Sequence, residues 1–169
     1  MVYNTNYFEN LLRTYSATAQ EINEIRWDWV NGCKAKTVLD YGCGCGWFRA
    51  YRNGAHVDTY DVMDVPQTGI TKDKYDLVCF WDVLEHIEDL TQVKSLIEKS
   101  GYTAITVPIK PENVEMEKWK HYKPGEHVRY YTFEDMINWM GSCGKSLVKF
   151  GTPECPPRTD IYSFLFKMS

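Results

Sequence analysis

No apolar stretch in this chain approaches the length of a membrane span, and its polar N-terminus (Asn4, Asn6, Glu9, Asn10) has no signal-peptide core, so the sequence predicts a cytosolic protein without membrane partners. Its six cysteines, at positions 33, 43, 45, 79, 143 and 155, include no C-x-x-C pair. That spacing argues against structural zinc and disulfides and leaves small buried thiols as the expectation. A basic surplus is missing too: the formal net charge of −4 gives no pull toward nucleic acid or anionic lipid. Repeats, low-complexity tracts and linkers are absent, and 169 residues suit one domain, 1–169, with a core of its own. Two common glycine-rich signatures are also lacking. A dinucleotide fingerprint needs a third glycine where Trp47 stands, and a P-loop ending at Gly144-Lys145-Ser146 needs a glycine where Trp139 stands.

What the chain does have is Asp40-Tyr41-Gly42-Cys43-Gly44-Cys45-Gly46, directly after the apolar run Thr37-Val38-Leu39. Alternate glycines let a backbone turn sharply out of a buried strand and pass close to a ligand without Cβ obstruction. Asp61 ends the apparent second strand, Val57 to Asp61, nineteen residues after Gly42. An acid at that distance is placed to accept from both hydroxyls of a ribose. Asp58 and Asp64 are its rivals.

A third segment, Tyr75-Asp76-Leu77-Val78-Cys79-Phe80-Trp81-Asp82-Val83-Leu84-Glu85-His86-Ile87, is followed by Thr106-Val107-Pro108 and by Gly125-Glu126-His127-Val128-Arg129-Tyr130-Tyr131-Thr132. With the glycine loop and Asp61, these motifs resemble the class I S-adenosylmethionine-dependent methyltransferases, in family order over roughly residues 35 to 140. The V-L-E-H-I run is similar to the subgroup that includes ubiquinone-pathway enzymes. The resemblance implies a Rossmann-like α/β three-layer sandwich and methyl transfer from S-adenosylmethionine to a small-molecule acceptor. Asp40, Tyr41, Gly42, Gly44, Gly46, Asp61, Trp81 and Asp82 are then expected at the cofactor. Trp81, just past a strand's carboxyl end, is the aromatic expected to face the sulfonium. Two rival readings are a nonenzymatic protein that kept the cofactor fold and a nucleotide- or nicotinamide-binding α/β domain.

Glu85, His86 and His127 are the candidate catalytic residues: they are expected to line the acceptor pocket, one histidine serving as general base. Asp82-x-x-Glu85-His86 with a later histidine is also similar to a metal-binding E-x-x-E-H pattern of some small-RNA and ubiquinone-pathway methyltransferases. Here the first position is Asp rather than Glu, and no metal is the expectation. Residues 110–131, with Lys110, Lys118, Trp119, Lys120, His121, Tyr122, Lys123, Pro124 and Arg129, read as a lid or acceptor loop.

Periodicity predicts N-terminal helices within 1–34, with Thr18 and Glu21 as a capping box. It also predicts a helix from Trp47 to Asn53, one capped by Asp89 and Gln92, one capped by Thr132 and Asp135, and a final pair of strands, 146–150 and 161–167. Asp61 and Tyr75 are only fourteen positions apart, too close for the helix, third strand and second helix that the resemblance would place there. The sheet should therefore hold six strands, with the second at an edge. That edge invites either the 65–74 segment or a second subunit in a homodimer to cover it, with Asp58 and Pro66 as modest blunting devices.

Overall fold

The computed structural model of the chain describes residues 5–51, 54–63, 65, 67–155 and 158–169, with side chains from residue 17 onward. Asn53, expected at a helix end, Asp64, a rival ribose acid, and Pro66, expected to blunt the sheet edge, lie outside the described residues. Six strands form one sheet: β1 (Thr37–Tyr41), β2 (His56–Tyr60), β3 (Leu77–Trp81), β4 (Tyr102–Pro108), β5 (Lys145–Gly151) and β6 (Ile161–Met168). Their order is β2-β1-β3-β4-β6-β5, parallel as far as β4 and antiparallel where β6 meets β4 and β5. This is the six-stranded α/β sandwich expected from the short Asp61–Tyr75 interval.

Both faces of the central strands are apolar, and successive side chains go to opposite sides. Leu39, Val78, Phe80, Ile105 and Phe164 join Val93 and Ile97 of helix α3 (Thr91–Lys99) and Met136 and Met140 of helix α4 (Phe133–Ser142). Val38, Leu77, Cys79, Trp81 and Ala104 meet Val30 of helix α1 (Thr5–Val30) and Phe48 of helix α2 (Trp47–Ala50). Complete burial of a Leu, Ile or Phe contributes about 1.5–3 kcal/mol, so two such layers hold the sheet rigid beneath whatever its carboxyl edge carries.

Local signals fared unevenly. Thr132 and Asp135 close a reciprocal capping box at α4. Thr18 and Glu21 do not start a helix, because α1 already runs through them from Thr5. The Asp89 side chain accepts from the Thr91 N–H and hydroxyl, and Gln92 N–H reaches only the Asp89 carbonyl, at 3.4 Å. Of the cysteines, which are all free, only Cys79 and Cys143 are buried, whereas Cys155 is exposed. Among the described residues no helix is long and apolar enough to cross a membrane.

The outer edge of β2 is covered from within the chain. Thr59 donates its N–H to Thr68 Oγ1 (2.8 Å) and accepts at its carbonyl from Gly69 N–H (3.0 Å), while Asp61 N–H reaches Gln67 Oε1 (2.8 Å). Gln67-Thr68-Gly69 thus supplies the hydrogen bonds a third strand would have made. The strap is anchored by Asp58, which accepts from Tyr75 Oη at 2.6 Å and from the Thr71 hydroxyl. With Thr59 and Asp61 already paired, exposed backbone no longer argues for a homodimer through this edge. Thr68→Ala should cost about 1 kcal/mol and speed amide exchange at Thr59 in particular. Unchanged exchange there would deny the strap its role.

Candidate active site

The carboxyl ends of β1, β2 and β3 border a cavity of about 930 Å³, large enough for a cofactor and an acceptor together. Its floor is the glycine loop. Gly42 and Cys43 both donate N–H to the Tyr60 carbonyl, and Gly44 N–H reaches Asp61 Oδ2 at 2.7 Å. Gly42, Gly44 and Gly46 all have positive φ (75°, 52° and 73°). At Gly42 space is decisive as well: a Cβ there would lie 2.4 Å from Val83 Cγ2. The loop is therefore clasped between the end of β2 and the turn after β3.

Asp40 is 2% exposed and lines this cavity, and its Oδ2 has no hydrogen-bond partner. Burial pushes its carboxyl up to about 7, with Arg26 opposing the shift and Asp61 adding to it. Asn23, from α1, gives its amide hydrogen to the Ala19 carbonyl and leaves a second buried acceptor, Oδ1, unpartnered in the same cavity. Asp61 receives N–H donors from Gly44 and Met63. Its rival Asp58 is occupied: against the penalty of burial, hydrogen bonds from Thr71, Tyr75 and His56 hold its carboxyl below the usual range. Tyr41 is packed between Tyr60 and Phe80, with ring centroids 4.8 Å and 5.4 Å away.

Two of the expected cofactor residues stand differently. The cation over the Trp81 ring is the protein's own Arg26, 5.1 Å from the centroid, with Phe48 packed at 5.3 Å. Asp82 is engaged by Arg158 at 2.7 Å and Arg26 at 3.0 Å, so its carboxylate is committed to protein cations. Although desolvation works the other way, Arg158 and Arg26 keep that carboxyl below its ordinary range.

The cavity also gathers the three predicted catalytic side chains. A one-turn 3-10 helix, Leu84–His86, carries Glu85 and His86, and the 110–131 segment brings His127 to them. One donor atom from each lies within 4.8 Å of the others. Burial, reinforced by the charge of Asp82, raises the Glu85 carboxyl well above the usual carboxylate range, and Glu85 Oε2 is unpartnered. Burial, then His86 and Lys123, lower His127 to about 4, and its Nδ1 is unpartnered. His86 differs: its Nδ1 donates to the Glu126 carbonyl at 2.9 Å, which fixes the proton on that nitrogen.

The 110–131 segment borders the cavity through Lys120, His121, Lys123, Glu126 and His127. Lys110 N–H donates to the Tyr131 carbonyl and closes its base. Val128 and Arg129 donate their N–H groups to the Glu85 carbonyl, and Arg129 Nε reaches the Ile87 carbonyl at 2.8 Å. Trp119, 4% exposed, packs beside His121 and Tyr130.

Sequence reasoning missed Asn23, Arg26, Glu154 and Arg158. Arg26 and Glu154 touch across 128 residues, a separation over which no local pattern carries a signal.

Comparison with known proteins agrees with this geometry. A family profile described as "Methyltransferase domain" matches residues 8–149. A magnesium protoporphyrin IX methyltransferase from Synechocystis PCC 6803, solved with bound S-adenosylhomocysteine, superposes with a TM-score of 0.70 at 18% identity, covering 98% of this chain and 95% of that one. A SAM-dependent methyltransferase from Archaeoglobus fulgidus gives 0.68 at 15% identity, covering 95% and 99%. The methyltransferase domain of a bacterial Hen1 gives 0.60 at 15% identity, covering 89% and 98%. Comparison with curated protein sequences returned no match. With the profile spanning most of its length and the glycine loop, the acid just after β2 and the strand order in place, the chain belongs to the class I S-adenosylmethionine-dependent methyltransferase family.

Proposed function

We propose that the chain binds S-adenosylmethionine on its glycine loop and methylates a small-molecule acceptor at Glu85, His86 and His127. The observation that carries this reading is the orphaned Asp40 Oδ2, a buried acceptor lining a cavity that a second one, Asn23 Oδ1, also lines. Leaving such an atom unpaired costs about 1–3 kcal/mol, and the ammonium group of the cofactor's amino-acid end would satisfy Asp40 Oδ2. Asp61 would accept from the ribose hydroxyls with the lone pairs that Gly44 and Met63 leave free.

When bound, S-adenosylmethionine supplies a methyl group already activated on a sulfonium. The protein's task is alignment and proton management. His86 Nε2 is suited to take the acceptor's proton as the acceptor's electron pair goes to the methyl carbon. His127, lowered to about 4, stays neutral at pH 7 and serves better as a hydrogen-bonding partner than as a base. Burial favours the neutral carboxyl of Glu85, which suits it to donate to an acceptor oxygen. Incubating the protein with metabolite extract and methyl-deuterated cofactor, then screening products by mass spectrometry, should reveal a labelled small molecule. His86→Ala should slow its formation about 100-fold or more while S-adenosylhomocysteine affinity stays intact. An equal loss of affinity would contradict the base assignment.

The convergence of Glu85, His86 and His127 favours one second reading, a divalent ion at the acceptor end. The donor set fits: a carboxylate and two imidazoles suit zinc, manganese or iron. The fourth expected ligand, Asp82, is taken by arginines. Since Glu85 must lose its proton to coordinate, manganese binding should strengthen as pH rises and vanish in Glu85→Gln. Methyl transfer indifferent to both chelator and added manganese would dismiss the ion.

A further inference from the structure

A closed ring of charges holds the turn after β3, and no motif announces it. Asp82 accepts from Arg158 Nη2 at 2.7 Å, Arg158 Nη1 at 2.9 Å and Arg26 Nη2 at 3.0 Å. Glu154, with its side chain 1% exposed, accepts from Arg26 Nε at 2.7 Å and from Arg158 Nη1. Two guanidinium groups and two carboxylates thus join helix α1, the β3 turn and the connection between β5 and β6. The ring is neutral as a whole, and the Arg158–Asp82 pair is bidentate, the geometry that best offsets desolvation.

The backbone at the centre of this ring is unusual. Asp82 has φ 60°, in the left-handed region that a non-glycine residue keeps only where its surroundings over-determine it. Here those surroundings are the two arginines and the Asp82 N–H bond to the Thr106 carbonyl at 2.9 Å. The residues immediately after Asp82 touch both halves of the site. Val83 lies against Gly42 so closely that a Cβ on the glycine would stand 2.4 Å from Val83 Cγ2. The next three residues, Leu84–His86, carry Glu85 and His86.

We propose that Arg158 and Arg26 are positioning residues that act through Asp82, fixing the Asp82–Val83 turn and with it the glycine loop that receives the cofactor. This rests on reading that loop as the S-adenosylmethionine site. The role explains why Glu154 and Arg158, beyond the family motifs, reach back to the turn after β3. Loss of the bidentate grip frees Asp82 to leave its left-handed conformation, and Val83 then no longer wedges Gly42 in register.

The test is titration calorimetry of variants with S-adenosylhomocysteine. Arg158→Met alone leaves two carboxylates facing one guanidinium and is expected to destabilise the fold. Glu154→Gln combined with Arg158→Met leaves Arg26 and Asp82 as a one-to-one pair, restoring charge balance. This double variant should melt near the parent temperature yet bind the ligand ~10-fold or more weakly, as expected for a displaced site. Arg158→Lys, which keeps the charge but not the bidentate geometry, should fall between the two. Parent-like affinity in the double variant overturns the positioning role. Should that variant fail to melt cooperatively, Arg158→Lys decides: a lower melting temperature with unchanged affinity overturns the proposal, and weakened affinity supports it. Failure of the unaltered protein to bind at all would instead overturn the reading of that loop as the S-adenosylmethionine site, so the two failures are distinguishable.

Discussion

Gly42→Ala is expected to destabilise the protein by about 3 kcal/mol and to abolish binding of S-adenosylhomocysteine. Two independent costs add here. The new Cβ would stand 2.4 Å from Val83 Cγ2, and overpacking of this kind costs about 1–3 kcal/mol. The φ of 75° adds about 1–2 kcal/mol for a residue that now has a side chain. Because Val83 is a side chain rather than backbone, the first cost can be relieved. Val83→Ala in the Gly42→Ala background should recover part of the stability, giving a non-zero coupling energy in a double-mutant cycle. Strict additivity of the two changes, measured by denaturant unfolding, would show that the clasp between the glycine loop and the β3 turn is not what fixes the loop.

The second large effect concerns Asp40 and sets stability against function. Its carboxyl is raised by burial to about 7 in the folded protein, against an ordinary value of 3.8 in the unfolded chain. A raised carboxyl means that the folded state holds a proton which the unfolded state has released. Stability from this group is therefore full below about pH 4 and declines as pH rises through the interval to about 7. About three pH units at 1.4 kcal/mol each bound the loss at about 4 kcal/mol. Asp40→Asn removes the ionisable group and should raise the melting temperature at pH 8, while S-adenosylhomocysteine affinity falls because the ammonium loses its carboxylate. In the unaltered protein an ammonium beside Asp40 favours the carboxylate. Binding near pH 6.5 should therefore release a proton, visible as a dependence of binding heat on the buffer's ionisation enthalpy. Equal heats in all buffers, with Asp40→Asn binding like the parent, would remove Asp40 from the cofactor site.

The parts of this molecule that are legible in the sequence are those written locally. Alternate glycines after a strand, an acid at the end of the next, and Thr132 with Asp135 each state their geometry within a few residues. The fourteen-position interval from Asp61 to Tyr75 reveals the missing strand by length alone. How the exposed edge is covered was open between a second subunit and the chain's own 65–74 segment. Deciding between them requires knowing that Thr68 and Gln67 mimic backbone partners, which no pattern encodes. The charge ring is invisible for a related reason: Arg26, Asp82, Glu154 and Arg158 come from three distant segments, Asp82 read as a cofactor residue and the other three singly as ordinary surface charges. Thr18 and Glu21 misled in the opposite way, since a helix with enough packing along α1 runs straight through a favourable start signal. Trp81 was correctly placed at a strand end, but the sequence does not say that Arg26 lies over its ring.

The central claim is that the glycine loop, Asp40 and Asp61 form an S-adenosylmethionine site. Titration calorimetry of the unaltered protein with S-adenosylhomocysteine, run beside NAD, tests it most directly. The expected result is one-to-one micromolar binding of S-adenosylhomocysteine, no heat with NAD, and a loss of about 1.5–3 kcal/mol of binding free energy in Asp61→Ala. No binding of S-adenosylhomocysteine, or binding of NAD in its place, would contradict it.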